Sequence, residues 1–205
     1  MEFFTNNSFH EKKYSIYEFQ FYDANLKNIN NREFGFFLGI KLDRREIVLD
    51  VIEKNPGIRF NDIMRLTNIR NGTLSHYVKK LEEHGSIDLQ RTPRVTRAYP
   101  IGIDKHEAII CKHLTTPTQR RLILFLLQNE VATSIEIKKF LKKSPSVVSV
   151  NLSQLFKDKI INKQYDIPSN KYSIRNPEQV KGILKEYYPN WLESVTNNTV
   201  ELLNF

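Results

Sequence analysis

The feature that most constrains this chain is a run of short amphipathic helices, separated by tight turns and closed by a β-hairpin, that is written twice. From Asp43 the apolar residues Ile47, Val48, Val51 and Ile52 recur at helical spacing, with Asp43 placed to cap the helix. Asn55-Pro56-Gly57 stops it. A short second helix is predicted over about Asn61 to Leu66, then a tight turn from Thr67 to Gly72. A third helix follows over roughly Thr73 to His84, with Leu74, Val78 and Leu81 inward and Gly85 ending it. Ile87, Leu89, Val95, Ala98 and Tyr99 flank Thr92-Pro93 as a hairpin with a basic tip.

The same order starts again at Pro117. Leu122, Ile123, Phe125 and Leu126 form an apolar stripe up to Asn129, and a short helix is predicted over Ser134 to Leu141. Ser144 then reads as an N-cap with Pro145 at the first helical position, followed by Val147, Val148, Leu152, Leu155 and Phe156. Ile160-Ile161 and Tyr172 to Ile174 bracket the turn Pro168-Ser169-Asn170. Residue identity between the two units is low, but helix, helix, helix, hairpin is common to both, as in a duplicated architecture. The expected fold class is mainly α with small β-hairpin wings (α+β). Its divisions are an aromatic-rich arm or β-ribbon at 1–40, one unit at 41–108, a second at 109–176, and C-terminal helices at 177–205.

The ends differ from the middle. Residues 1–40 hold 11 of the 23 aromatic residues, and Tyr14 to Tyr22 alternates as a strand would. Past residue 176, Val180, Ile183, Leu184 and Tyr187 form a stripe, Pro189 interrupts it, and Trp191, Leu192, Val195 and Leu202 continue it. Large aromatic side chains are costly to leave in water, so this stripe covers either the second unit or a second copy of the chain. A homodimer through it is the favoured expectation.

Charge narrows the partner. The formal net charge is +8, and residues 111–176 carry 12 basic against 4 acidic side chains. Such an excess suggests polyanions. A helix, a tight turn, a second helix and a basic hairpin together make a winged helix-turn-helix. Its recognition helix fits a major groove about 12 Å wide, and its wing reaches phosphates or the neighbouring minor groove. In the first unit the candidate DNA contacts are Arg70, Asn71, Thr73, Ser75, His76, Lys79 and Lys80, with Arg91, Arg94 and Arg97 on the wing. Three arginines around one turn repel one another unless an anion relieves them. In the second unit the candidates are Lys142, Lys143, Ser144, Ser146, Ser149 and Asn151, with Lys163 and Lys171 on the hairpin.

The first unit resembles the winged-helix domain of archaeal transcriptional regulators of the broad MarR/ArsR-like grouping, in particular those with two winged helices in one chain. Asn55-Pro56-Gly57, Gly72-Thr73-Leu74-Ser75-His76-Tyr77, Lys80-Leu81-Glu82, Arg94 and Arg97-Ala98-Tyr99-Pro100 carry the likeness. Ser144 to Ser149 match more loosely, and Asn151-Leu152 stands where the family has His-Leu. The resemblance covers about residues 43–176 and implies a regulator that binds double-stranded DNA, with the basal transcription machinery as a further partner.

Other functions find less support. No GxxxxGK[ST], GxSxG or HExxH motif occurs, so no catalysis is expected. The five histidines lack ligand spacing and Cys111 is the lone cysteine, so neither a metal nor a cofactor is expected. No apolar stretch approaches membrane-spanning length, and the N-terminus does not read as a signal peptide, so a cytoplasmic location without membrane partners is expected. The alternatives in kind are a plasmid or viral replication initiator with tandem winged helices, and a winged-helix protein-interaction adaptor.

Overall fold

Residues 43–200 are described by a computed structural model. The expected aromatic ribbon at 1–40 and the end of the C-terminal stripe at Leu202 lie outside the described residues.

α1 (Arg44–Lys54) begins where the Asp43 side chain accepts from the Arg45 N–H, and it buries Val48, Val51 and Ile52. Gly57 then turns the chain with φ +80° into the two-residue strand β1 (Ile58–Arg59). Glycine is required there twice over. The backbone is left-handed, and an added Cβ would sit 3.0 Å from Tyr99 Cε1 and 3.2 Å from the Lys112 backbone nitrogen. Gly57→Ala is therefore expected to cost about 1–3 kcal/mol, read as a lower urea midpoint with an unchanged slope.

α2 (Phe60–Thr67) ends at Asn68 in a left-handed conformation, and α3 (Asn71–Glu83) follows. Leu74, Val78 and Leu81 pin α3 to the core against α1. The chain returns through β2 (Ile87–Arg91) and β3 (Thr96–Pro100). The sheet is antiparallel with order β1-β3-β2, and Ile58 and Leu89 both pair with Ala98, so these three share its core face.

α4 (Lys105–Leu114) has no counterpart in the sequence-based expectation. Asp104 caps it, accepting from the His106 N–H at 2.7 Å. It buries Ala108, Ile110, Cys111, His113 and Leu114, so its apolar positions face the protein almost all round and show no clean single stripe. Burial of Cys111 pushes its thiol up to about 12, as an inert core side chain would show.

α5 (Pro117–Asn129) is the central helix of the second half, with Leu122, Ile123, Leu124 and Leu126 fully buried. β4 (Val131–Thr133) leads into α6 (Ser134–Leu141) through a capping box. Thr133 Oγ1 accepts from the Glu136 N–H, and the Glu136 carboxylate accepts from the Thr133 N–H at 2.7 Å. Lys142 takes the left-handed turn that Asn68 takes in the first half, with the same φ of 52°. α7 (Pro145–Lys157) starts at the Ser144 cap, and β5 (Ile161–Gln164) and β6 (Lys171–Ile174) complete an antiparallel sheet of order β4-β6-β5. Element order and strand order are thus the same in both halves. The overall class is mixed α+β with a helical majority, as expected.

α8 (Pro177–Tyr187) and α9 (Pro189–Thr196) pack onto the second half. Val180, Ile183, Leu184, Tyr188 and Val195 join one core with α4 to α7, and Trp191 stacks on Tyr188 at 4.2 Å under the Arg120 guanidinium. Of the two expected uses of this stripe, cover for the second unit is the one seen. The stripe therefore carries no argument for a homodimer.

His113 is buried on α4, with Gln119 Oε1 at 2.8 Å from Nδ1 and Asp158 Oδ2 at 2.8 Å from Nε2. Burial lowers its pKa below the ordinary 6.5, against the upward pull of those two bonds. The unfolded chain then takes up this proton first, so the stabilisation is complete above pH about 6.5 and is lost as pH falls below it. Asp158 feels burial upward, but Lys112 and His113 outweigh it and hold its carboxyl below the ordinary 3.8, so its contribution is lost only in stronger acid. A melting temperature that declines between pH 7.5 and 5.5, and a flatter profile in His113→Gln, are the expected results.

Candidate nucleic-acid interface

α3 presents two opposite faces because Leu74, Val78 and Leu81 recur at helical spacing. The other side leaves Thr73, Ser75, His76, Lys79 and Lys80 exposed. Arg70 stands at its N-cap with no side-chain cap bond, and the first turn holds no acidic residue. The leading N–H groups are open to an anion, and the helix dipole favours one there. Ser75 Oγ donates to Asn71 Oδ1 at 3.1 Å, which steadies two polar side chains of the exposed face. Lys79 and Lys80 lie 3.7 and 3.3 Å from the Glu83 carboxylate. Such exposed pairs are weak and yield readily to a phosphate.

The three wing arginines separate. Arg91 is tied back to α3, its guanidinium forking onto both Glu82 oxygens at 2.6 and 2.5 Å. That bond holds Glu82 below the ordinary carboxylate range, and it fixes the hairpin against α3. Arg94 is exposed at the tip, where Thr92 and Val95 close the turn on each other. Among the described residues Arg94 has no ion-pair partner.

Arg97 departs from expectation. It lies at the base of the hairpin, on the sheet face opposite Ala98, and that face is covered by the connection between α4 and α5. Its Nη1 donates to Gly57 O at 2.6 Å and to Thr115 Oγ1 at 2.8 Å. Alternation along β3 places its side chain on that covered outer face, where it holds the two halves together, so it is not part of the exposed wing.

The second half is built differently. Lys142, Lys143, Ser144 and Ser146 are exposed around the start of α7, and Ser149 is exposed on its first turns. Ser144 Oγ accepts the Val147 N–H, and Asn151 Nδ2 donates to Val147 O at 2.7 Å, so both side chains are partly occupied by their own helix. No charged residue occurs between Pro145 and Phe156, and Val147, Val150 and Phe156 are exposed instead. On the hairpin, Lys163 lies over the Tyr165 ring at 4.4 Å and Lys171 is paired with Asp166 at 2.6 Å.

Sequence reasoning missed the Glu82 clamp and the cluster of Arg59, Lys112, His113 and Asp158. Glu82 could have been found from its place in the last turn of α3, facing the returning hairpin. The cluster joins residues far apart in the chain, and no spacing rule signals it. Among the described residues, no group of three or more His, Cys, Asp and Glu side chains is placed to hold a metal, and no helix is long and apolar enough to cross a membrane.

No curated protein matches this chain. Among solved structures, HlyU from Vibrio cholerae N16961 is similar at a TM-score of 0.37 and 16% identity, over 42% of this chain and 98% of that one. Residues 42–87 match the family model for winged helix-turn-helix DNA-binding domains, a stretch that runs from α1 through α3 to the first residue of β2. Residues 42–87 thus carry a winged helix-turn-helix DNA-binding domain.

Proposed function

We propose that this chain is a sequence-specific regulator of transcription that binds double-stranded DNA through two winged helices in tandem, at 41–108 and 109–176. The observation that carries the reading is α3. Its buried side is held by Leu74, Val78 and Leu81, while Thr73, Ser75, His76 and Lys79 are exposed on the other side, and Arg94 at the hairpin tip has no ion-pair partner among the described residues. In this reading α3 enters the major groove, Ser75 and His76 meet base edges, and Arg70, Lys79, Lys80 and Arg94 meet phosphates. The repeated element order supports the tandem assignment. In the second half, Lys142 and Lys143 take phosphates while the serine face of α7 lies against the groove.

A second reading applies to residues 109–176 alone. The uncharged α7 with exposed Val147, Val150 and Phe156 also suits protein docking, with the transcription machinery as the partner. Selection of bound fragments from the source genome tests the whole proposal. Promoter fragments support a regulator, and origin repeats point to an initiator. If about 6–10 phosphates are engaged, log K against log salt falls with a slope of roughly −5 to −9. A flat line refutes DNA binding.

A further inference from the structure

Between the first sheet and the second half lies a cleft of about 380 Å³ whose lining is strongly cationic. Arg59 and Arg97 come from β1 and β3, Lys112 from α4 and Lys157 from the end of α7. Asp158 is the single carboxylate, and it is already engaged by Lys112 Nζ at 2.6 Å and His113 Nε2 at 2.8 Å. Arg59 and Arg97 are directly paired across the β1–β3 ladder. Like charges in that position repel, and among the described residues neither arginine has a carboxylate partner. Arg59 Nη2 reaches Thr116 Oγ1 at 3.3 Å, but its Nε is buried without a hydrogen bond. Burial lowers the Arg97 pKa, and the nearby Arg59 lowers it further.

Two guanidinium groups that line one cleft, with no carboxylate in ion-pair contact with either, form a fork suited to the tetrahedral oxygens of a phosphate. We propose that this cleft binds a phosphate group, with Arg59 as its main anchor and Lys112 and Lys157 supplying charge at the sides. The volume admits a small phosphorylated metabolite. Because the walls come from both halves, an occupant fastens the first half to the second. The site stands independently of the DNA-binding reading.

Thermal melts of the full chain in rising inorganic phosphate, against KCl at equal ionic strength, test it. The wild type is expected to show a saturable rise in melting temperature. Arg59→Gln is expected to need about tenfold more phosphate for the half-maximal rise or to lose it, while Arg94→Gln, at the wing tip, keeps it. Lys157→Gln, at an exposed position, provides a second variant that should weaken the response without disturbing the fold. A duplex-binding series without phosphate separates the sources. An unchanged salt slope in Arg59→Gln means a free phosphorylated ligand, whereas a slope shallower by about one means that a DNA phosphate occupies the same site. Equal phosphate responses in wild type and both cleft variants, or no response beyond that of KCl together with an unchanged salt slope, overturn the proposal.

Discussion

A chain ending at residue 176 is expected to lose the cooperative fold of its second half. Val180, Ile183, Leu184, Tyr188, Val195 and Val200, all buried in the same core as α4 to α7, leave with the truncation. Burying a large apolar side chain contributes about 1.5–3 kcal/mol. Six of them amount to roughly 9–18 kcal/mol, which is on the scale of the whole stability of a typical domain, about 5–15 kcal/mol. The side of α5 that packs against α9 would at the same time be opened to water. Hydrogen exchange followed by mass spectrometry is the suitable readout. α5 should lose its protection, while α3, whose contacts lie with α1 and β2, should keep most of its own. A truncated chain that keeps α5 fully protected would show that α8 and α9 are accessory.

Local signals made most of the fold legible. The capping of α1 by Asp43, the run Ser144-Pro145 at the head of α7, and the stripe of Leu74, Val78 and Leu81 each depend on residues within a turn or two, and each stands where the sequence places it. α3 starts two residues before Thr73, because Asn71 and Gly72 already have helical backbone and the turn proper is confined to Asn68 to Arg70. α4 escaped notice because a helix buried on several sides lacks the one-sided period that announces amphipathic helices. The strands β1 and β4 are too short to show alternation, and long-range pairing with β3 and β6 creates them. At the interface the exposed residues of α3 were readable from period alone. The separate fates of Arg91, Arg94 and Arg97 were not, since they depend on Glu82, on the turn at Thr92 to Val95, and on the chain that covers the outer face of the sheet.

The largest effect on recognition is expected at Ser75 and His76. Both are exposed on α3 beyond its first turn, at the depth where a recognition helix meets base edges, and neither has an acidic neighbour to occupy it. Substituting either should change which base is preferred, by about 1–3 kcal/mol at the affected position. Arg94 is placed for a different task. A guanidinium at the wing tip holds phosphate, which is common to all sequences, so Arg94→Ala should weaken every duplex by a similar factor and make the salt slope shallower by about one. The measurement that separates these tasks is the affinity of wild type, Ser75→Ala, His76→Ala and Arg94→Ala for a panel of single-base variants of the selected site. The account predicts that the two α3 substitutions relax discrimination at one or two adjacent base pairs, while Arg94→Ala lowers all affinities together and leaves the base ranking intact. If the α3 substitutions leave every affinity and the ranking unchanged, α3 does not read the bases.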